Sequence, residues 1–159
     1  MDGWDELEES DVPAPEEVNK RFATEVRDAV ISVRPELARN FSRQAVLIQG
    51  GMPVRFGYFS DRAVLHFSVL HPVRQAASVR DARARLWELS RAKAFAGLQR
   101  AALITAVPRD NEITLGEKQR EALRANRNEV EQEADAVDMR VYPVSSVSEA
   151  ADRVLEVVA

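Results

Sequence analysis

The chain has no cysteine in 159 residues. A disulfide framework, a thiolate zinc site and a cysteine nucleophile are therefore excluded. Only two histidines are present, His66 and His71. They lie five residues apart in or beside one strand-like run, with no third imidazole to complete a metal site, so a structural role is the expectation for both. No run approaches the roughly 18 consecutive apolar residues that span a bilayer, and the acidic start lacks the basic flank and apolar core of a secretory signal. A cytoplasmic location without membrane attachment is the expectation. Glycine is scarce, and Gly50-Gly51 fits neither the G-x-x-x-x-G-K-[ST] nor the G-x-G-x-x-G phosphate loop. No G-x-S-x-G elbow is present either. No cofactor is expected.

What is present is an ordinary globular composition with charge in blocks. The length suits one domain with a tail, and 45% hydrophobic with 30% charged residues is normal for a packed chain. The formal net charge is -4, but residues 1–17 hold eight acids and no base, whereas residues 74–100 hold seven bases against Asp81 and Glu88. Within residues 1–13 the large apolar side chains apart from Met1 are Trp4 and Leu7. That is too little to offset the entropy of ordering, so the segment reads as mobile, with residues 14–159 as one α/β domain. The other reading of Trp4 and Leu7 is an anchor to a partner or to the chain's own basic helix.

Residues 44–107 carry the organising pattern. Before them, Pro15, Glu16 and Glu17 suit the first turn of a helix, and Val18, Phe22, Val26, Ala29, Val30 and Val33 recur at helical spacing up to Pro35. Then the period shortens. Residues 45–49, 54–59 and 63–70 read as three strands, with Gly50-Gly51 and Ser60-Asp61-Arg62 as their turns. In the third, Ala63, Leu65, Phe67 and Val69 share one face and are expected to be the buried set. Val79, Ala82, Leu86 and Leu89 mark a helix over residues 78–95, with Ser78 as its cap. Residues 101–107 form a continuous apolar run, the pattern of a strand covered on both faces. A charged helix (116–137), a fifth strand (139–144) and a last helix opened by the Ser146–Glu149 capping box follow. The predicted fold is α/β, a mixed five-stranded sheet flanked by helices in the order α-β-β-β-α-β-α-β-α.

That order, together with VRDARARLWELSRAKAF followed by AALITAV, resembles the restriction-endonuclease-like core of the PD-(D/E)xK superfamily over roughly residues 18–107. The resemblance implies an aspartate near the second strand, an acid-x-lysine tripeptide on the third and, in some members, a glutamate from the first helix. Together these hold magnesium for phosphodiester hydrolysis. On this chain Glu25 matches the helix glutamate and Asp61 lies near the expected aspartate. The third run offers His66-Phe67-Ser68 where the tripeptide should stand, and Gln75 and Lys93 are the candidates for migrated partners.

The central helix carries the other candidate surface. At about 100° per residue, Arg80, Arg83, Trp87 and Arg91 fall on one side of it, where guanidinium groups beside an indole can meet a phosphate backbone or a carboxylate-bearing partner. The plainer reading is that Trp87 caps the core edge while the arginine stems cover it. Three functions follow as expectations. The first is a non-catalytic nuclease-like module acting through protein contacts, a homodimer included. The second is a nucleic-acid-binding accessory protein whose acidic head competes for the basic helix. The third is a degenerate metal-dependent nuclease.

Overall fold

The computed structural model describes residues 15–109 and 114–159. The acidic segment 1–13, expected to be mobile, lies outside the described residues. The first helix, α1 (Pro15–Val33), stops where Pro35 removes a donor, and a 3-10 turn (Pro35–Asn40) leads into the sheet. Then come β1 (Phe41–Val46), β2 (Pro53–Phe59), β3 (Ala63–Val69), α2 (Gln75–Ala96), β4 (Arg100–Ala106), α3 (Glu117–Ala136), β5 (Arg140–Val144) and α4 (Val147–Val158). The element order is the one the hydrophobic periods predict.

The strands lie in the order β1-β2-β3-β4-β5. β1, β2 and β3 form an antiparallel meander, while β3, β4 and β5 run parallel. Two cores result, one on each side. On one side, Val79, Leu86 and Leu89 of α2 and Leu123 and Val130 of α3 cover Val64 and Leu103. On the other, Phe22, Val26 and Val30 of α1 and Val154 of α4 cover Leu65, Phe67 and Ile104. No helix among the described residues is long and apolar enough to cross a membrane.

Local details depart from expectation for identifiable reasons. β1 begins at Phe41 rather than Ala45, because Phe41 stacks edge-on against Tyr58 across the ladder. β3 is buried on both faces, so His66 and Ser68 are as enclosed as Leu65 and Phe67. Ser78 does not cap α2. The helix starts at Gln75, and the Ser78 hydroxyl donates to Arg74 O at 2.8 Å while accepting the His71 amide at 3.1 Å. At α4 the Ser146 hydroxyl accepts the Glu149 amide at 3.1 Å as a cap should. The Glu149 carboxylate turns instead to the amide and hydroxyl of Ser145, both at 3.0 Å, which holds its pKa below the usual range. Val33, the last of the apolar residues at helical spacing in α1, is exposed at the helix end.

One irregularity shapes the meander. Strict alternation would put Phe56 and Tyr58 on one face of β2, yet Phe56 and Phe59 pack on the α2 side and Tyr58 on the α1 side. The slip falls at Gly57. A Cβ there would lie 2.5 Å from Cδ2 of Phe67. Opposite it, between the Phe41–Tyr58 and Arg43–Phe56 pairs, Ser42 takes φ 52°. Past the slip, β2 and β3 pair only at Tyr58–Leu65 and Phe59–Val64, after which they part.

Candidate functional site

Beside the fork between β2 and β3 lie four of the buried polar side chains among the described residues, Asn19, His66, Ser68 and Thr105. Beyond Leu65, the β2-facing edge of β3 has lost its strand partner, and an amide left there must bond to something else. Asn19 from α1 supplies it: its Oδ1 accepts the Val69 amide at 2.8 Å. Its Nδ2 donates to Asp81 Oδ2 on α2 at 2.6 Å. Arg85, one turn further along, donates through Nε to the same Asp81 oxygen at 2.8 Å. Its Nη1 reaches His66 Nδ1 at 3.2 Å. On the far side of the ring, His66 Nε2 sits 2.9 Å from Glu88 Oε1, though off the N–H axis, so the contact is an ion-pair distance rather than an aligned hydrogen bond.

This geometry fixes the state of the imidazole. Arginine only donates, so His66 Nδ1 is an acceptor and the proton resides on Nε2, facing the Glu88 carboxylate. Burial lowers the His66 pKa below its ordinary value; the neighbouring Glu88 opposes that and Arg85 adds to it. The ring is neutral, 1% exposed, and packed 4.8 Å from the Phe56 ring. Beside it, Ser68 and Thr105 share a buried hydroxyl–hydroxyl bond of 3.0 Å across β3 and β4. Neither His66 nor Ser68 has a face open to a substrate. No group of three or more histidine and carboxylate side chains among the described residues is placed to hold a metal ion.

The residues singled out by the resemblance do not gather here. Glu25 is exposed on α1. Asp61 is exposed in the β2–β3 turn, at the opposite end of β3 from Val69. Gln75 opens α2, where it donates to Pro72 O at 2.9 Å and accepts from Asn126 at 2.6 Å. Lys93 lies five turns along the same helix, about 27 Å away at 1.5 Å per residue, and its Nζ is 3.9 Å from Asp138. In their place the fork holds Asn19, Asp81, Arg85 and Glu88, which sequence reasoning passed over. Two signals were available. Asp81, Arg85 and Glu88 recur at i, i+4 and i+7 along one flank of the α2 stripe, and Asn19 occupies a core position of α1 with Phe22 and Val26 at i+3 and i+7.

The basic strip of α2 divides. Arg83 leans over to α3, pairing with Glu129 and with Glu133 at 2.7 Å. Arg80, Trp87 and Arg91 stay on the outer side, with Trp87 60% exposed and the Arg91 guanidinium 5.4 Å from its ring centroid. Among the described residues, cavities lie elsewhere. One of about 910 Å³ opens at the start of β4 and β5 among Lys93, Arg100, Asp138, Arg140 and Tyr142. There Arg100 Nη1 is committed to Val157 O at 2.7 Å, closing the end of α4. Another, about 410 Å³, sits at the opposite strand ends beside Arg109, Arg127 and Glu149. Comparison of the chain with protein-family models, with curated proteins and with solved structures finds no match.

Proposed function

We propose that the chain is a non-catalytic module on a restriction-endonuclease-like scaffold, acting through protein contacts that include self-association. The observation that supports this reading is the β2–β3 fork. Where an acid-x-lysine tripeptide would stand, the chain has His66-Phe67-Ser68, and the polar atoms of His66 and Ser68 face Arg85, Glu88 and Thr105 of the same chain. A hard divalent ion needs several oxygen ligands with open directions, and Asp61 alone in an exposed turn does not supply them. The test is incubation with double-stranded DNA, single-stranded DNA and RNA in magnesium or manganese, with calorimetric titration of manganese. Neither cleavage nor stoichiometric binding is expected. Cleavage abolished by Asp61→Ala overturns the proposal. Light scattering on the same preparation measures self-association; a monomer at every concentration removes the homodimer.

A nucleic-acid-binding accessory role is the second reading, favoured by the stacked and exposed Arg91–Trp87 pair with Arg80 beside it. With Arg83 held by two glutamates, three side chains carry this surface rather than four. It predicts salt-sensitive binding of a single-stranded oligonucleotide that is lost in Trp87→Ala with Arg91→Glu. Binding unchanged by that double variant removes the α2 strip from the reading.

A further inference from the structure

The first 14 residues and the rest of the chain carry opposite charge. Six of the 26 acids and none of the 22 bases lie at positions 1–14, so residues 15–159 hold 20 acids against 22 bases. Residues 74–100 carry the larger positive excess, seven bases to two acids, but Arg83, Arg85 and Lys93 there already face carboxylates; the β1–β2 hairpin and its flanks carry a second excess. Residues 39–62 contain Arg39, Arg43, Arg55 and Arg62 against Asp61 alone. In the helices, Arg83, Arg85, Arg127 and Arg153 each meet a carboxylate. Among the described residues, Arg43 and Arg55 of the hairpin meet no carboxylate. Arg43 donates to Asn40 Oδ1 at 3.4 Å and to Phe59 O at 3.3 Å, and Arg55 donates to Ser42 O.

The same hairpin is apolar at its tip, where Leu47 is buried in the α2-side core and several of its apolar neighbours are not. Val46, Ile48 and Met52 are 47%, 54% and 85% exposed. β1 is a free edge of the sheet; one face of the hairpin joins the α2-side core through Leu47, Val54 and Phe56, while Val46, on the other face with Arg55, stays exposed. An edge strand with an adjoining apolar patch is a surface that proteins ordinarily cover.

We propose that residues 1–14 dock on the β1–β2 hairpin of their own chain, their carboxylates against Arg55 and the Trp4 and Leu7 side chains against Val46, Ile48 and Met52. The tether allows it. Pro15 stands one turn before Asn19, which bonds the Val69 amide. β1 runs parallel to β3, so the hairpin tip lies at that same end of the sheet. Fourteen residues reach up to about 46 Å when extended, and two strand spacings are about 10 Å. The outer strip of α2 is the weaker match, because Arg83 is already paired and α3 beside it holds six acids to four bases. This contact stands whether or not the core cleaves nucleic acid.

The experiment compares hydrogen–deuterium exchange of the full chain with a variant lacking residues 2–14 and with a head-neutralised variant (Asp5→Asn, Glu6→Gln, Glu8→Gln, Glu9→Gln) that leaves the body untouched. Both variants should exchange hairpin amides roughly threefold faster or more, and the difference should vanish in 1 M salt, where the screening length shrinks to about 3 Å. A synthetic peptide of residues 1–14 added to the truncated chain should shift hairpin resonances, and Arg55→Glu should abolish those shifts. Unchanged exchange, or shifts confined to the surroundings of Trp87, overturns the proposal. So does protection that depends on protein concentration, because the contact would then lie between chains.

Discussion

Replacing Asn19 by alanine tests whether the polar fork is held together by the bonds described. Asn19 is 3% exposed, and it is the acceptor of the Val69 amide and a donor to Asp81. Alanine leaves that amide in the gap between β2 and β3 with no partner, which costs about 1–3 kcal/mol. The loss at Asp81 is smaller, because Arg85 still donates to the same oxygen and the Asp81 side chain is 21% exposed. The expected total is about 2 kcal/mol, a fall of roughly 4–8 °C in melting temperature for a domain of this size. Urea denaturation of Asn19→Ala, Asp81→Ala and the double variant measures the coupling directly. Side chains sharing a bond should show an interaction free energy of about 0.5 kcal/mol or more. A single-variant loss under about 0.5 kcal/mol, or strict additivity in the double variant, refutes the brace.

Gly57→Ala should destabilise the chain by about 1–3 kcal/mol, since the new methyl meets the buried Phe67 ring; differential scanning calorimetry reads the shift. Acid should weaken the fold through His66. Burial lowers its folded pKa, so below the ordinary value of 6.5 the unfolded chain takes up a proton that the folded chain refuses. Stability then falls with pH by up to about 1.4 kcal/mol per unit, and His71, whose pKa burial and Arg74 also lower, adds in the same direction. Urea midpoints between pH 7.5 and 5.5 check the slope, which His66→Gln should flatten. Arg83→Ala should cost no more than about 1 kcal/mol, because both of its ion pairs are around 40% exposed and screened by water; a larger loss in denaturant melts would mean that α2 and α3 depend on it for packing.

The sheet was legible because its strands and helices differ in period. Val79, Ala82, Leu86 and Leu89 announce α2, and the unbroken apolar run of β4 announces a strand covered twice. The boundaries were less legible, since tertiary contacts set them: Phe41 joins β1 because Tyr58 stacks on it, two strands' length away in sequence. The site was the least legible part. Alternation along β3 suggested that His66 and Ser68 face outward, but α2 lies over that face, and nothing local to the strand reveals a helix packed from elsewhere. Asn19 was hidden for the same reason, as a polar residue on an apolar stripe is informative only once its distant acceptor and donor are known.

The fork also explains why a core strand carries these polar side chains at all. Gly57 lets the Phe67 ring press against β2, and the alternation of β2 slips there, with Ser42 at positive φ on the other side of the ladder. Past that slip the two strands separate, so the Val69 amide requires a side chain where a strand would have served. Asn19 meets that need with its carbonyl, which leaves its amide group to be satisfied by Asp81. A half-buried aspartate calls for a cation, and Arg85 supplies one. The remaining guanidinium nitrogen reaches the imidazole of His66, whose other nitrogen faces Glu88. Each group in the sequence exists to satisfy the one before it, beginning from a strand separation that a glycine and a phenylalanine produce. The series ends on Glu88 of α2, whose side chain is 30% exposed.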